Sequence, residues 1–260
     1  MFSKILLPVL FNRNTRWASD KAIQLANKFG CDVHLLHAHN MPVPAVSALE
    51  TEMKELSSYV RSKLNDGLFV SSSITSESWQ IALKDAVITE HIDLAIIPRS
   101  HRKLRTALIR RVNINQLSEQ TNCPVMTIPR GFNVNNLTNI VVPVKDLLPV
   151  NKLKIASYVS LETNGCIYLM GCDENVLINN EGYLMKALQL LNGVGPLKVQ
   201  CAYREDQDMA HSALNYAKDI HAGLIVVNPG QESRLKGWWS KITGKWLFRE
   251  SDIPILTVAS

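Results

Sequence analysis

Short runs of aliphatic and β-branched residues alternate along the chain with longer segments whose apolar positions recur at helical spacing, the pattern of βαβ units around a parallel sheet. In the first half the runs fall near 3–10, 32–38, 67–74, 92–98 and 124–129. Ala18, Ala22, Leu25, Ala26 and Phe29 mark one helix face between the first two runs, and Gly30 stands where a C-terminal cap belongs. Trp79, Ala82, Leu83 and Ala86 mark another face ahead of the fourth run, and residues near 46–65 and 105–121 supply two more helices.

The pattern then repeats. Lys4-Ile-Leu-Leu-Pro-Val9 returns 135 positions later as Asn139-Ile-Val-Val-Pro-Val144. At an offset of 130, His91-Ile-Asp-Leu-Ala-Ile-Ile-Pro98 matches His221-Ala-Gly-Leu-Ile-Val-Val-Asn228, and Cys123-Pro-Val-Met-Thr-Ile-Pro129 matches Ile253-Pro-Ile-Leu-Thr-Val-Ala259. Three ordered matches read as a duplication. Second-copy strands are expected near 139–144, 165–171, 198–203, 223–228 and 254–259, with helices near 151–162, 181–192, 208–220 and 238–250. The expected organisation is α/β: two tandem doubly wound domains, residues 1–130 and 139–260, each a five-stranded, mainly parallel sheet with helices on both faces. The Asn- and Gly-rich stretch 131–138 reads as a linker.

Composition adds limits. With 46% hydrophobic and 20% charged residues in 260, the chain can bury a core and is unlike a disordered one. Lys4 is followed by only Ile5 to Leu7 before Pro8, too short an apolar region for a signal peptide, and no run approaches the roughly 18 residues that cross a bilayer. A cytoplasmic protein without membrane contact is expected. The five cysteines, Cys31, Cys123, Cys166, Cys172 and Cys201, are odd in number, mostly within apolar stretches and form no CxxC pair, which suits reduced core thiols. The net charge of +5 is uneven: residues 1–130 hold 16 Lys or Arg against 11 Asp or Glu, and residues 131–260 hold 12 against 12. Much of the excess lies in Arg99, Arg102, Lys103, Arg105, Arg110 and Arg111, which suggests a local anion site.

A strand ending in Pro-Val, a helix, a strand ending in Leu35-Leu-His-Ala38 and a closing Cys123-Pro-Val-Met-Thr-Ile128 together resemble the universal stress protein family. The resemblance extends to the second copy through Ile140-Val-Val-Pro-Val144, residues 208–228 and Ile253-Pro-Ile-Leu-Thr-Val258. It implies a tandem member whose halves pair through their last strands as two single-domain chains do, with protein partners and further dimerisation open. Nucleotide-binding members carry an Asp directly after the first Pro-Val and a G-x-x-G-x9-G-[ST] loop after the fourth strand. Glycines there let backbone N–H groups approach phosphate oxygens, and a helix N-terminus adds favourable partial charge.

This sequence departs from that pattern at each point. Leu10 and Lys145 stand where the Asp would be. Pro98, His101 and Arg111-Val112 fall on the loop positions of the first copy, and Asn228, Gln231 and Lys241-Ile242 on those of the second. Bulky side chains at close-approach positions favour loss of the nucleotide. The alternative is that side-chain cations replace the cradle, with Arg99, His101, Arg110, Arg111, Asn228 and Lys241 holding phosphates in a nucleotide switch or weak ATPase.

Other chemistry is thinner. His34, His37 and His39 sit at the end of a strand where α/β proteins bind ligands, but no third metal ligand accompanies His37 and His39. Arg234, Lys236, Lys241, Lys245 and Arg249 are interleaved with Trp238, Trp239 and Trp246, a mixture that can bind nucleic acid. Leu235, Trp239, Ile242 and Trp246 have the spacing of a buried helix face, so a solvated or partner-facing basic helix is the expectation and nucleic-acid binding is not. No GxSxG or Walker motif occurs, and Asp173, Glu174, Glu205, Asp206 and Asp208 read as turn or N-cap carboxylates. A stress-response or regulatory binding protein, with neither catalysis nor a required cofactor, is the expected function.

Overall fold

The computed structural model describes residues 2–39, 46–99, 112–145, 148–171, 180–204, 208–229 and 251–260. The chain divides into two compact units, Met1–Arg130 and Gly131–Ser260. In the first, β1 (Lys4–Pro8), α1 (Thr15–Phe29), β2 (Asp32–Ala38), α2 (Val46–Arg61), β3 (Val70–Thr75), α3 (Trp79–Thr89), β4 (Leu94–Pro98), α4 (Ile114–Thr121) and β5 (Val125–Ile128) follow in order. The second contains β6 (Asn139–Val144), α5 (Val150–Thr163), β7 (Cys166–Gly171), α6 (Asn180–Val194), β8 (Lys198–Tyr203), α7 (Met209–Asp219), β9 (Leu224–Val227) and β10 (Ile255–Thr257). The expected helix at 238–250 and most of that at 105–121 lie outside the described residues.

Each unit has the same strand order, β3-β2-β1-β4-β5 in the first and β8-β7-β6-β9-β10 in the second. Every pairing inside a unit is parallel. This is the expected α/β architecture. The order reverses beside β1 and β6, so right-handed crossovers place the helices before the reversal on one face and those after it on the other. α1 packs with α2 and α3 with α4 in the first unit, while α5 packs with α6 in the second.

Burial explains the unbroken aliphatic runs. Ile5, Leu6, Leu35, Ile96, Ile97 and Val125 are at most 1% exposed in the first unit, and Ile140, Val141, Leu169, Val226 and Leu256 in the second, as a sheet covered on both faces requires. The edge strands β3 and β8 are the polar or exposed ones. α1 ends as its sequence predicts: Gly30 takes φ 67° and its N–H returns to the Ala26 carbonyl. Cys31 and Cys123 are buried, and burial pushes the Cys123 thiol up to about 12. Cys201 departs from the expected core thiols by lying exposed on the edge strand β8, and Cys172 is outside the described residues.

One glycine is required by close approach. A Cβ on Gly223 would lie 1.5 Å from the Asn136 carbonyl oxygen, so the chain entering β6 can pass only against a bare Cα. Gly223→Ala is expected to destabilise by several kcal/mol, well beyond the ~1 kcal/mol of a typical substitution. Gly182→Ala in α6, where a Cβ would meet nothing within 4 Å, should stabilise by about 0.5–1 kcal/mol. Urea titration of both variants measures the contrast, and equal effects would refute the packing argument.

Candidate functional site

Ligands of open α/β sheets bind at the carboxyl ends of the strands where the order reverses. In the first unit that position is a cleft with Leu7, Pro8, Val9, Leu10 and Pro98 on the strand side. Asn12, Asn14, Thr15, Trp17 and Ala18 complete it from the start of α1. Local bonds hold this turn: Asn12 N–H donates to Thr15 Oγ1 and Asn14 N–H to Asn12 Oδ1, both at 2.8 Å. Leu10 gives the cleft an apolar side chain at the point where an adenosine site would need a carboxylate.

Beside it, the His37 Nδ1–H donates to the Val9 carbonyl at 2.7 Å. That bond satisfies a carbonyl which the strand ladder leaves over, and it places a proton on Nδ1, so the neutral ring is the Nδ1–H tautomer. Phe11 and Trp79 approach the His37 ring at 4.9 and 5.9 Å between centroids, and His39 stacks on it at 6.2 Å. Burial pushes the His37 pKa down, against the raising effect of the Val9 carbonyl. His34 is farther in, 1% exposed, with its nitrogens 2.8 and 2.9 Å from the Ser71 and Ser73 hydroxyls. Burial lowers its pKa as well, opposed by the Glu90 carboxylate. Among the described residues no group of three or more His, Cys, Asp or Glu could hold a metal.

The second unit treats the same end differently. Lys152, the third residue of α5 as Trp17 is of α1, is fully buried, and its Nζ donates to the Pro143 carbonyl at 2.5 Å. Asn228 Nδ2 donates to the Val258 carbonyl at 2.9 Å, and Asn151 Nδ2 reaches the Ala259 carbonyl at 3.5 Å. Side chains of the unit itself therefore occupy the carbonyl groups that a ligand would otherwise meet. The sequence held no separate signal for Lys152, which stands just ahead of the buried Leu153, Ile155 and Ala156.

Residues 1–129 match the model of the Universal stress protein family. The chain belongs to that family through its first unit. A universal stress protein from Archaeoglobus fulgidus DSM 4304 shares the fold at a TM-score of 0.73 and 13% identity, over 98% of both chains. A protein of unknown function from Pseudomonas aeruginosa PAO1 matches at a TM-score of 0.62 and 12% identity, over 99% of this chain and 92% of that one. The cytoplasmic domain of a prokaryotic cation chloride cotransporter matches at 0.59 and 11%, over 99% and 95%. At these identities the likeness is one of fold. No curated protein matches the chain in sequence.

Of the universal stress protein loop positions in the first unit, the described residues include Pro98 and Val112. Val112, at the Ser/Thr position, is 2% exposed. Asn113 follows as the N-cap of α4, its side-chain oxygen accepting from Gln116 N–H at 3.2 Å, while its own N–H donates to Gln80 Oε1 at 2.7 Å. The helix end that would face phosphate is thus capped by the chain itself. Of the six candidate anion-binding residues, His101, Arg110, Arg111 and Lys241 lie outside the described residues. Arg99 and Asn228 stand at the ends of β4 and β9 of separate units: Arg99 N–H donates to the Ile128 carbonyl at 2.9 Å, and Asn228 is engaged with Val258. Asp208 caps α7 through Ala210 N–H at 3.2 Å, as an N-cap carboxylate should, whereas Asp173, Glu174, Glu205 and Asp206 are not among the described residues.

Both lowered histidines bind protons more weakly folded than unfolded. Their stabilising effect is complete above the unfolded value of 6.5 and is lost as pH falls through the lower folded values. The urea midpoint is therefore expected to decline from pH 7.5 towards pH 5, with a smaller decline in His37→Gln, which keeps a donor for Val9 but does not titrate. An unchanged pH dependence in that variant would remove His37 from the account.

Proposed function

We propose that this universal stress protein is a non-catalytic stress-response or regulatory binding protein that works without the ATP site of its nucleotide-binding relatives and requires no cofactor. What supports this reading most is the end of the phosphate loop in the first unit. A glycine-serine cradle offers bare N–H groups and a hydroxyl to phosphate. Here the corresponding hydroxyl is replaced by the buried valine Val112, and the following helix is capped by its own Asn113. Leu10 removes the carboxylate expected for adenosine, and in the second unit the buried Lys152 donates to the Pro143 carbonyl at the equivalent strand end.

A thermal-shift titration with ATP, ADP and AMP at physiological salt, together with analysis of nucleotide released on denaturation, tests the proposal. A ligand at 100 times its dissociation constant adds about 2.7 kcal/mol, or a rise of a few degrees for a domain of this size. The expected result is no shift and no released nucleotide. A shift that vanishes in Arg111→Glu would establish the cationic phosphate site and a nucleotide switch in its place.

A further inference from the structure

The amino end of the second unit's sheet holds a concave polar pocket between the approach to β6, the turn after α7 and the approach to β10. The repeat supplies a comparison for it inside the same chain. In the first unit the residue before β4 is Asp93, and its carboxylate accepts from the Ser3 and Lys4 N–H groups at 2.9 and 3.2 Å and from the Ser3 hydroxyl. That carboxylate closes the corresponding place. In the second unit the same position is Gly223, which has no side chain to put there. The approach to β6 instead makes a 3-10 turn, Val134–Asn136, packed against the bare Gly223 Cα. Asn133 Oδ1 fixes the turn by accepting from Asn135 N–H at 3.1 Å.

The exchange leaves polar side chains around a hollow. Asn135, Asn136, Thr138, His221 and Asp252 all line the pocket and are exposed. Among the described residues none of these side chains has a hydrogen-bond partner or an ion pair within the chain. Two amides and a hydroxyl can each donate and accept, the imidazole offers both functions, and the carboxylate accepts. No Lys or Arg is among the described lining residues, so among these an anion meets no fixed cation. Apolar lining comes from Phe132, Ala222, Ile253 and Pro254, and polar surface predominates over it, which favours a polar ligand. We infer that this pocket binds a neutral polyhydroxylated small molecule, a monosaccharide or polyol, through paired hydrogen bonds to Asn135, Asn136, His221 and Asp252. The inference is independent of the carboxyl-end cleft and of whether nucleotide binds there.

Titration of the full-length, isotope-labelled chain with D-glucose, D-ribose and sorbitol, followed by amide NMR, tests it. A small ligand of this kind should bind with a millimolar dissociation constant. The expected result is a saturable shift for at least one probe, confined to residues 133–138, 221–223 and 252–254. The double substitution Asn135→Ala and Asp252→Ala should weaken that binding at least tenfold while leaving the thermal midpoint unchanged, because both side chains are exposed and unpaired. No saturable shift with any of the three probes, shifts centred elsewhere, or wild-type affinity in the double variant would each overturn the assignment. Should the variant prove destabilised, the location of the wild-type shifts still decides.

Discussion

A fully parallel sheet sends all its strands in one direction, so the last carbonyl groups of the strands collect at one end between helix N-termini. A buried carbonyl without a donor costs about 1–3 kcal/mol, and the ends of β1, β5, β6 and β10 each need one. The donors differ between the two units. His37 reaches the Val9 carbonyl from β2 beside the cleft lined by Leu7 to Leu10, whereas in the second unit Lys152 reaches from α5 to the carbonyl of Pro143, which the repeat aligns with Pro8. The two units therefore direct side-chain donors to neighbouring, not equivalent, carbonyls of the aligned strand end.

At the ends of the last strands, the duplicated halves keep the hydrogen bonding while exchanging the residues that perform it. Arg99 N–H donates to the Ile128 carbonyl, but the aligned residue of the second unit is Pro229, which has no N–H to give. Asn228 compensates with its side-chain amide, meeting the aligned Val258 carbonyl at the same 2.9 Å. A position that looks like a candidate ligand residue thereby has a structural explanation, the repair of a proline. The exchange of Asp93 for Gly223 works in the other direction. Three bonds to the start of β1 are given up, and the backbone of the approach to β6 moves into the space.

The fold was legible because burial of a parallel sheet on both faces imposes aliphatic runs that no helix of the chain imitates. Expected and observed strands coincide at 32–38, 139–144 and 198–203. They diverge where local geometry stops the ladder. β5 and β10 start after Pro124 and Pro254, which cannot donate, and β4 starts later than expected because His91 turns the chain at φ 53°. The site was legible only in its losses. Missing glycines and the missing Asp are read position by position, and Asn113 ahead of Ile114 has the form of an N-cap. Lys152 was not legible, because its role depends on a carbonyl nine residues away that becomes its neighbour only when α5 folds back over β6. The amide pocket was equally hidden: its polar residues come from three separate segments, one of which reads as an ordinary linker.

The donors at the carboxyl ends also bear on what could bind there. A side chain held beside its carbonyl acts at an effective concentration far above that of any free ligand, so an incoming donor must displace it and strand it in a buried place. For Lys152 the displaced group would be a fully buried side chain deprived of its Pro143 acceptor, so a ligand aimed at that carbonyl meets a cost in the second unit. In the first unit the competing donor is an imidazole whose burial already favours its neutral form, and the cleft beside it needs no displacement to be entered. A ligand entering the first-unit cleft meets apolar walls formed by Leu10 and Pro98 and the amide and hydroxyl groups of Asn12, Asn14 and Thr15.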